Sequence, residues 1–181
     1  MQSSGASIAF RLACQRPDLL RGLIGHEPSL LALLVDDPTS APMLEQVMQT
    51  IRAVIERIAS GDHAGAAEQL LDTVALGPGS WAQLSPEFQQ EIAGYAPAYL
   101  DEANDPEQLV FDLEAIKAFS RPVLLTTGDQ SPPIFPPVVA KLAAALPQAA
   151  VVTFRGAGHI PHATHPDAYA DAIVAFVGKR T

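Results

Sequence analysis

The sequence predicts an α/β fold, in which a parallel β-sheet with covering helices is interrupted by an all-helical insertion. Three short apolar runs of strand length, near residues 20–26, 122–128 and 149–154, alternate with segments whose apolar residues recur at helical spacing. Residues 28–120 show helical patterning alone, with 15 acidic and 3 basic residues, whereas the two flanks together have 5 acidic and 8 basic residues. Residues 1–27 and 121–181 are therefore expected to form the α/β core, and residues 28–120 a separate helical domain.

Composition bounds the possible functions. The chain has 181 residues, 48% of them hydrophobic, which is enough for a buried core and too apolar for a disordered chain. Its formal net charge of −9 disfavours nucleic acid as a partner. No apolar run approaches the roughly 20 residues of a membrane span, so no membrane partner is expected. A single cysteine, Cys14, excludes an internal disulfide and favours a cytoplasmic location.

The N-terminal segment predicts a helix followed by a strand. Ile8, Ala9, Leu12 and Ala13 recur at helical spacing, and Pro17 ends the pattern. The apolar run at residues 20–26 has the length of a strand and is closed by a proline.

The middle segment predicts several helices with recognisable ends. An apolar stripe from Leu44 to Ile58 predicts a long helix that Gly61 terminates, and Asp62 is positioned to cap the next one. Ser85 followed by Pro86 is typical of a further helix start.

The last third returns to strand and helix alternation. A buried-type strand ends at Gly128, a helix is expected from about residue 137 to 146, and a second strand leads into the turn Gly156-Ala157-Gly158. A final helix over residues 165–177 is expected to place Tyr169, Ile173, Val174 and Val177 inward.

Three residues at the ends of these elements could support nucleophilic catalysis. Ser3 opens the first helix among small residues, where a tight turn can expose its hydroxyl, although an isolated serine there is usually a frayed end or a cap. His159 follows a strand and a glycine turn and could act as the base that a serine requires. Asp129 directly follows Gly128 and could orient the histidine, although an aspartate there is also an ordinary turn residue.

The combination is more informative than any one of these residues. Their order along the chain, Ser3, Asp129 and then His159, is the order of the nucleophile-elbow type of serine hydrolase site. His162 and His165 lie near His159, but no cysteine or carboxylate at ligand spacing accompanies them. No metal site and no cofactor are therefore expected.

The chain resembles the α/β-hydrolase superfamily in the phrases SSGASIAFRLACQRPDLLRGLIGHEP, RPVLLTTGDQSPP and RGAGHIPHATHPDAYADAIVAFV. The resemblance implies that Ser3 is the nucleophile, that the Ser4 backbone N–H is one oxyanion donor, and that His159 is the general base. It also implies that the middle segment is the family's helical cap. The chain resembles the C-terminal part of such a hydrolase, from the nucleophile elbow onward, so a homodimer or association with an N-terminal half is expected.

The acid of the site has two candidates. The family usually places it three residues after the strand-end glycine, where this sequence has Ser131, while Asp129 comes one residue after Gly128. Some members place it after the preceding strand, where this sequence has Glu27. Asp129 is the preferred expectation because it shares a loop with the family's usual acid, and Glu27 is the alternative.

The expected function is a serine hydrolase of the α/β-hydrolase type, acting on a small, uncharged ester, thioester or lactone through an acyl-enzyme. Haloperoxidase-like enzymes and carbon–carbon bond hydrolases of the family use the same residue types and stay open. The alternative from another class is a non-catalytic fragment, or half of a two-chain or dimeric assembly.

Overall fold

A computed structural model describes residues 3–105 and 110–178. The chain divides into two compact units, which are Met1–Leu34 with Phe111–Thr181, and Val35–Val110. The predicted division at residues 28 and 120 differs from this one, because residues 28–34 and 111–120 belong to the first unit.

The first unit is an α/β structure. Its strands are β1 (Leu23–His26), β2 (Val123–Gly128) and β3 (Ala149–Phe154). Its helices are α1 (Ser3–Gln15), α6 (Leu113–Lys117), α7 (Phe135–Ala145), α8 (Pro161–Thr164) and α9 (Pro166–Gly178). Within the described ranges the sheet has the order β1-β2-β3, and both pairings are parallel. The predicted parallel sheet is confirmed, and its carboxyl ends bring His26, Gly128 and Phe154 to one edge.

The core of this unit is packed between sheet and helices. The central strand β2 is buried almost throughout, since Val123, Leu124 and Leu125 are all no more than 2% exposed. Helix α1 lies against β1 at Gly25, where a Cβ atom would stand 2.7 Å from the ring of Phe10. Glycine at this position therefore lets the first helix approach the strand that precedes the candidate site.

The second unit is helical, as the apolar patterning predicts. It contains α2 (Ala41–Ala59), α3 (His63–Leu70), α4 (Pro86–Gly94) and α5 (Ala96–Ala103). Asp62 caps α3 by accepting a hydrogen bond from the Gly65 N–H at 3.0 Å, and Ser85 caps α4 through the Phe88 N–H. A small core joins α2, α3 and α5 through Val54, Ile58, Ala66 and Ala96.

The final helix differs from its sequence-based prediction. Helix α9 has no buried residue, and Val174 and Val177 are 68% and 53% exposed rather than inward. Tyr169 and Ile173 of the same stripe are partly buried, so the described residues cover only part of the face that the sequence predicts to lie inward. Across the described residues, no helix combines the length and apolarity needed to cross a membrane.

Candidate active site

The candidate site lies in the first unit, where β1 and β2 end side by side. Glu27 follows β1 directly, and its N–H still donates to the Thr126 carbonyl at 3.1 Å, as the parallel ladder requires. Its backbone then turns into the left-handed region with a φ of 42°. The side chain is completely buried.

Both carboxylate oxygens of Glu27 accept hydrogen bonds. Oε1 accepts from the Thr127 hydroxyl at 2.7 Å and from the Gly128 N–H at 2.8 Å. Oε2 lies 2.6 Å from Nδ1 of His159. A buried carboxylate with this many donors is held in one orientation.

The charge of Glu27 follows from these contacts. Burial acts to raise the pKa of this carboxyl, but interactions with the side chains of His159, His26 and Ser131 and with the Gly128 N–H lower it more. The pKa of Glu27 is therefore held well below its usual range, and the group is ionised at neutral pH.

His159 reaches Glu27 because a loop folds closely over the end of β2. Gly128 has no Cβ, and one placed there would collide with the Ala157 carbonyl oxygen. The Ala157 carbonyl in turn accepts from the Gln130 N–H at 3.0 Å. The imidazole is 4% exposed and stacks on the Phe135 ring, with centroids 4.0 Å apart and planes inclined by 9°. The ring is thus fixed on one face by an aromatic side chain and on one edge by a carboxylate.

Asp129, the preferred candidate for the acid, is placed elsewhere. It is exposed, and its Oδ1 accepts a hydrogen bond from the Gly156 N–H at 2.7 Å, which braces the turn after β3. The geometry therefore does not support the expectation that Asp129 orients His159, because the alternative candidate Glu27 occupies Nδ1 of that ring. Ser131, where the family's usual acid falls, has a buried hydroxyl that makes no hydrogen bond to the described residues, although its proximity helps to lower the pKa of Glu27.

Ser3 is the first residue of α1, and its φ is 48°. Its hydroxyl lies 2.8 Å from the hydroxyl of Ser29, which follows β1 by three residues. Within the described ranges, Ser3 and Glu27 are the two non-glycine residues with a positive φ. Strained backbone of this kind is concentrated at functional positions. Ser4 lies in the first turn of α1, where backbone N–H groups lack an intrahelical acceptor.

A second buried histidine was not anticipated from the sequence. His26 is completely buried, with Nδ1 at 2.9 Å from the Thr126 hydroxyl and Nε2 at 3.5 Å from Oε2 of Glu27. The sequence signal for this histidine is the pair His26-Glu27, two polar residues at the end of an otherwise apolar strand.

His26, Glu27 and His159 offer ligand atoms that all lie within 4.8 Å of one another. Two ligands of a tetrahedral zinc ion, each roughly 2.0–2.2 Å from the metal, stand about 3.3 Å apart. The 2.6 Å between His159 and Glu27 is shorter than that and matches a charge-assisted hydrogen bond. The side chains fit a hydrogen-bonded acid–base pair better than a metal centre.

The comparisons with known proteins identify the family. The sequence matches the model of the "Alpha/beta hydrolase family" over residues 1–172. This chain belongs to that family. No curated protein sequence matches this chain significantly.

Solved structures resemble this chain over most of its length. A thermophilic esterase from Thermogutta terrifontis is 26% identical with a TM-score of 0.67, and the alignment covers 98% of this chain and 63% of the esterase. A putative non-heme bromoperoxidase from Mycobacterium tuberculosis H37Rv is 20% identical, with a TM-score of 0.65 and coverage of 98% and 65%. The haloalkane dehalogenase DbeA from Bradyrhizobium elkani USDA94 is 20% identical, with a TM-score of 0.63 and coverage of 98% and 65%. The chain thus spans slightly less than two thirds of the length of these structures.

Proposed function

We propose that this chain carries the site of a serine hydrolase that cleaves a small, uncharged ester, thioester or lactone. The observation that carries the proposal is the buried hydrogen bond between Nδ1 of His159 and Oε2 of Glu27. An ionised acid on Nδ1 leaves Nε2 as the basic atom of the ring, which is what a serine nucleophile requires.

In the proposed acylation step, the Ser3 Oγ attacks the carbonyl carbon of the substrate while Nε2 of His159 takes the hydroxyl proton. The tetrahedral intermediate collapses when its bond to the leaving group breaks, which is a carbon–oxygen bond in an ester or lactone and a carbon–sulfur bond in a thioester. The same proton passes from His159 to the leaving alcohol or thiol, which yields an acyl-enzyme on Ser3. Glu27 stays ionised and stabilises the imidazolium through Nδ1.

Deacylation repeats these transfers with water. A water molecule loses a proton to His159 and attacks the acyl carbon, the bond to Ser3 breaks, and the proton returns to the Ser3 Oγ. The carboxylic acid leaves and the free serine is restored.

The oxyanion is assigned in part to the start of α1. The Ser4 N–H is proposed as one donor, since the first N–H groups of a helix are unpaired and carry partial positive charge. The positive φ of Ser3 supports this assignment, because a nucleophile elbow needs such a strained turn.

The helical unit Val35–Val110 is proposed as the cap of the hydrolase. Residues 35–110 carry 13 acidic and 2 basic residues, so a cap built from them favours neutral over anionic substrates.

A second candidate function is half of a two-chain or dimeric assembly that has no activity alone. It is favoured by large apolar side chains in the first unit that are about half exposed or more, namely Ile8, Leu19, Val151, Val174 and Val177.

Covalent labelling tests the proposed nucleophile. A fluorophosphonate probe is expected to phosphonylate Ser3, identified by mass spectrometry of the labelled peptide. Ser3→Ala is expected to abolish labelling and to lower ester turnover by up to about a millionfold. Ser4→Ala, one residue away, is the matched control and should still be labelled at Ser3. Folded wild-type protein labelled at Ser4, or at no residue, would overturn the proposal.

A further inference from the structure

The buried histidine next to the acid has an unusual position. His26 is the last residue of β1, pairs in register with Thr126 of β2, and is 0% exposed. Completely buried imidazoles need partners for both ring nitrogens, because a buried polar atom without a partner has lost its hydrogen bonds to water and gained nothing in return.

One nitrogen of His26 has a normal partner and the other faces the acid. Nδ1 is 2.9 Å from the Thr126 hydroxyl. Nε2 has no hydrogen-bond partner among the described residues, and Oε2 of Glu27 lies 3.5 Å from it. This oxygen is the one that binds His159.

The charge of Glu27 selects the tautomer of His26. An ionised carboxylate only accepts hydrogen bonds, so a lone pair on Nε2 would face the negative charge and be repelled. A proton on Nε2 is attracted by it instead. Nδ1 then carries the lone pair and accepts from the Thr126 hydroxyl.

The surroundings keep the imidazole in this orientation. The rings of Phe154, His159 and Tyr169 lie 6.3, 5.9 and 6.1 Å from that of His26, between centroids. The titratable groups around it are Glu27, His159, Tyr169 and His162. Burial, and after it the proximity of His26 and His159, lowers the pKa of His162, which favours the neutral form of this neighbour.

We propose that His26 is a positioning residue, which presents its Nε2–H to Oε2 of Glu27 and keeps that oxygen directed at His159. The role rests on the proposed function, in which Glu27 is the acid of the site. A displacement of catalytic groups by about 1 Å can lower the rate on the order of a hundredfold. A contact as long as this one can therefore affect the rate by fixing the position of Glu27, even if the contact itself is weak.

Two variants with side chains of similar length separate the hydrogen bond that His26 donates from the space that its side chain fills. His26→Gln keeps an N–H donor near the position of Nε2, whereas His26→Met fills similar space without a donor. We expect His26→Gln to stay within about threefold of wild-type kcat. We expect His26→Met to lower kcat by about 10–100-fold with KM changed less than twofold. Equal kcat values in the two variants would overturn the proposal.

A spectroscopic readout is independent of activity. In ring-¹⁵N spectra of the wild-type protein, His26 should be protonated on Nε2 and unprotonated on Nδ1. The Nδ1–H proton of His159 should be observable in wild type and His26→Gln, and weakened or lost in His26→Met. The opposite tautomer of His26, or an unchanged proton in His26→Met, would overturn the proposal even if Ser3 proves unreactive.

Folding is checked by circular dichroism and thermal melting of each variant. If His26→Met does not fold, Thr126→Val replaces it, since it removes only the hydroxyl that holds Nδ1. It should weaken the His159 proton signal and lower kcat by about three- to tenfold. An unchanged signal and rate in this variant would count against the proposal in the same way.

Discussion

The Nδ1 atom of His159 and the Oε2 atom of Glu27 are 2.6 Å apart, and the two residues are 4% and 0% exposed. They come from segments 132 residues apart in sequence. In this low-dielectric environment the pair is electrostatically stronger than it would be in water, and neither partner can be removed without leaving the other unsatisfied.

The first prediction separates the two candidate acids. Glu27→Gln should lower kcat for a short neutral ester by about 10³–10⁴-fold, because a neutral amide neither fixes the tautomer of His159 nor stabilises its imidazolium. Asp129→Asn should change kcat by less than about threefold, since an amide oxygen can still accept from the Gly156 N–H. Both variants are measured on one ester with circular dichroism as the folding control. A larger loss in Asp129→Asn would return the role of the acid to that residue.

The second prediction concerns stability at acid pH. The pKa of Glu27 is lower in the folded protein than in the unfolded chain, so this group stabilises the fold above its unfolded pKa of about 4.3. That contribution is lost as the pH falls toward the folded pKa. Urea midpoints of wild type should therefore decline from about pH 5 toward pH 2, and those of Glu27→Gln should decline less. Parallel curves for the two proteins would contradict the assignment of the low pKa to Glu27.

Local rules predicted most of the elements. The apolar stripe from Leu44 to Ile58 predicted a long helix, and Asp62 was predicted to cap the next one. Both predictions are confirmed. They succeed because helix formation and capping depend on residues that are close in sequence. Of the four α9 residues predicted to face inward, Tyr169 and Ile173 are partly buried, but Val174 and Val177 are exposed. The exposure of Val174 depends on which other segment packs against that helix. The spacing of apolar residues predicts an apolar face but does not indicate its partner.

The partner of His159 shows where local rules end. Glu27 and Asp129 both follow strands that are neighbours in the sheet. Their positions at strand ends therefore do not indicate which of the two contacts His159. The outcome depends on the left-handed backbone of Glu27 and on the Gly128 N–H, which binds its carboxylate across the strands. Such cross-strand bonds depend on tertiary structure and leave no periodic trace in the sequence.

The third prediction tests the acidic segment. An ester with a terminal carboxylate should react more slowly than a neutral ester of equal length, by about two- to tenfold in kcat/KM at low salt. Raising the ionic strength from about 0.01 M to about 1 M shortens the screening length from roughly 30 to 3 Å and should narrow this gap. Faster reaction of the anionic ester at low salt would contradict a cap that repels anions.

The last prediction is that the chain does not behave as a closed monomer. Val151, Val174 and Val177 are 49%, 68% and 53% exposed, and apolar groups in such exposure gain free energy when another surface covers them. Strand β1 pairs only with β2 within the described residues, and an unpaired strand edge is a further site of association. Light scattering should therefore give a mass above 19.1 kDa that rises with concentration.

Replacing Val174 and Val177 together by lysine should reduce this association, because burying two added charges costs more free energy than the apolar contact contributes. Phe88→Lys is the matched control, since Phe88 is 47% exposed but lies in the helical unit, and it should leave the mass unchanged. A monodisperse 19.1 kDa species with a sharp cooperative melt would show that these side chains tolerate water without a partner.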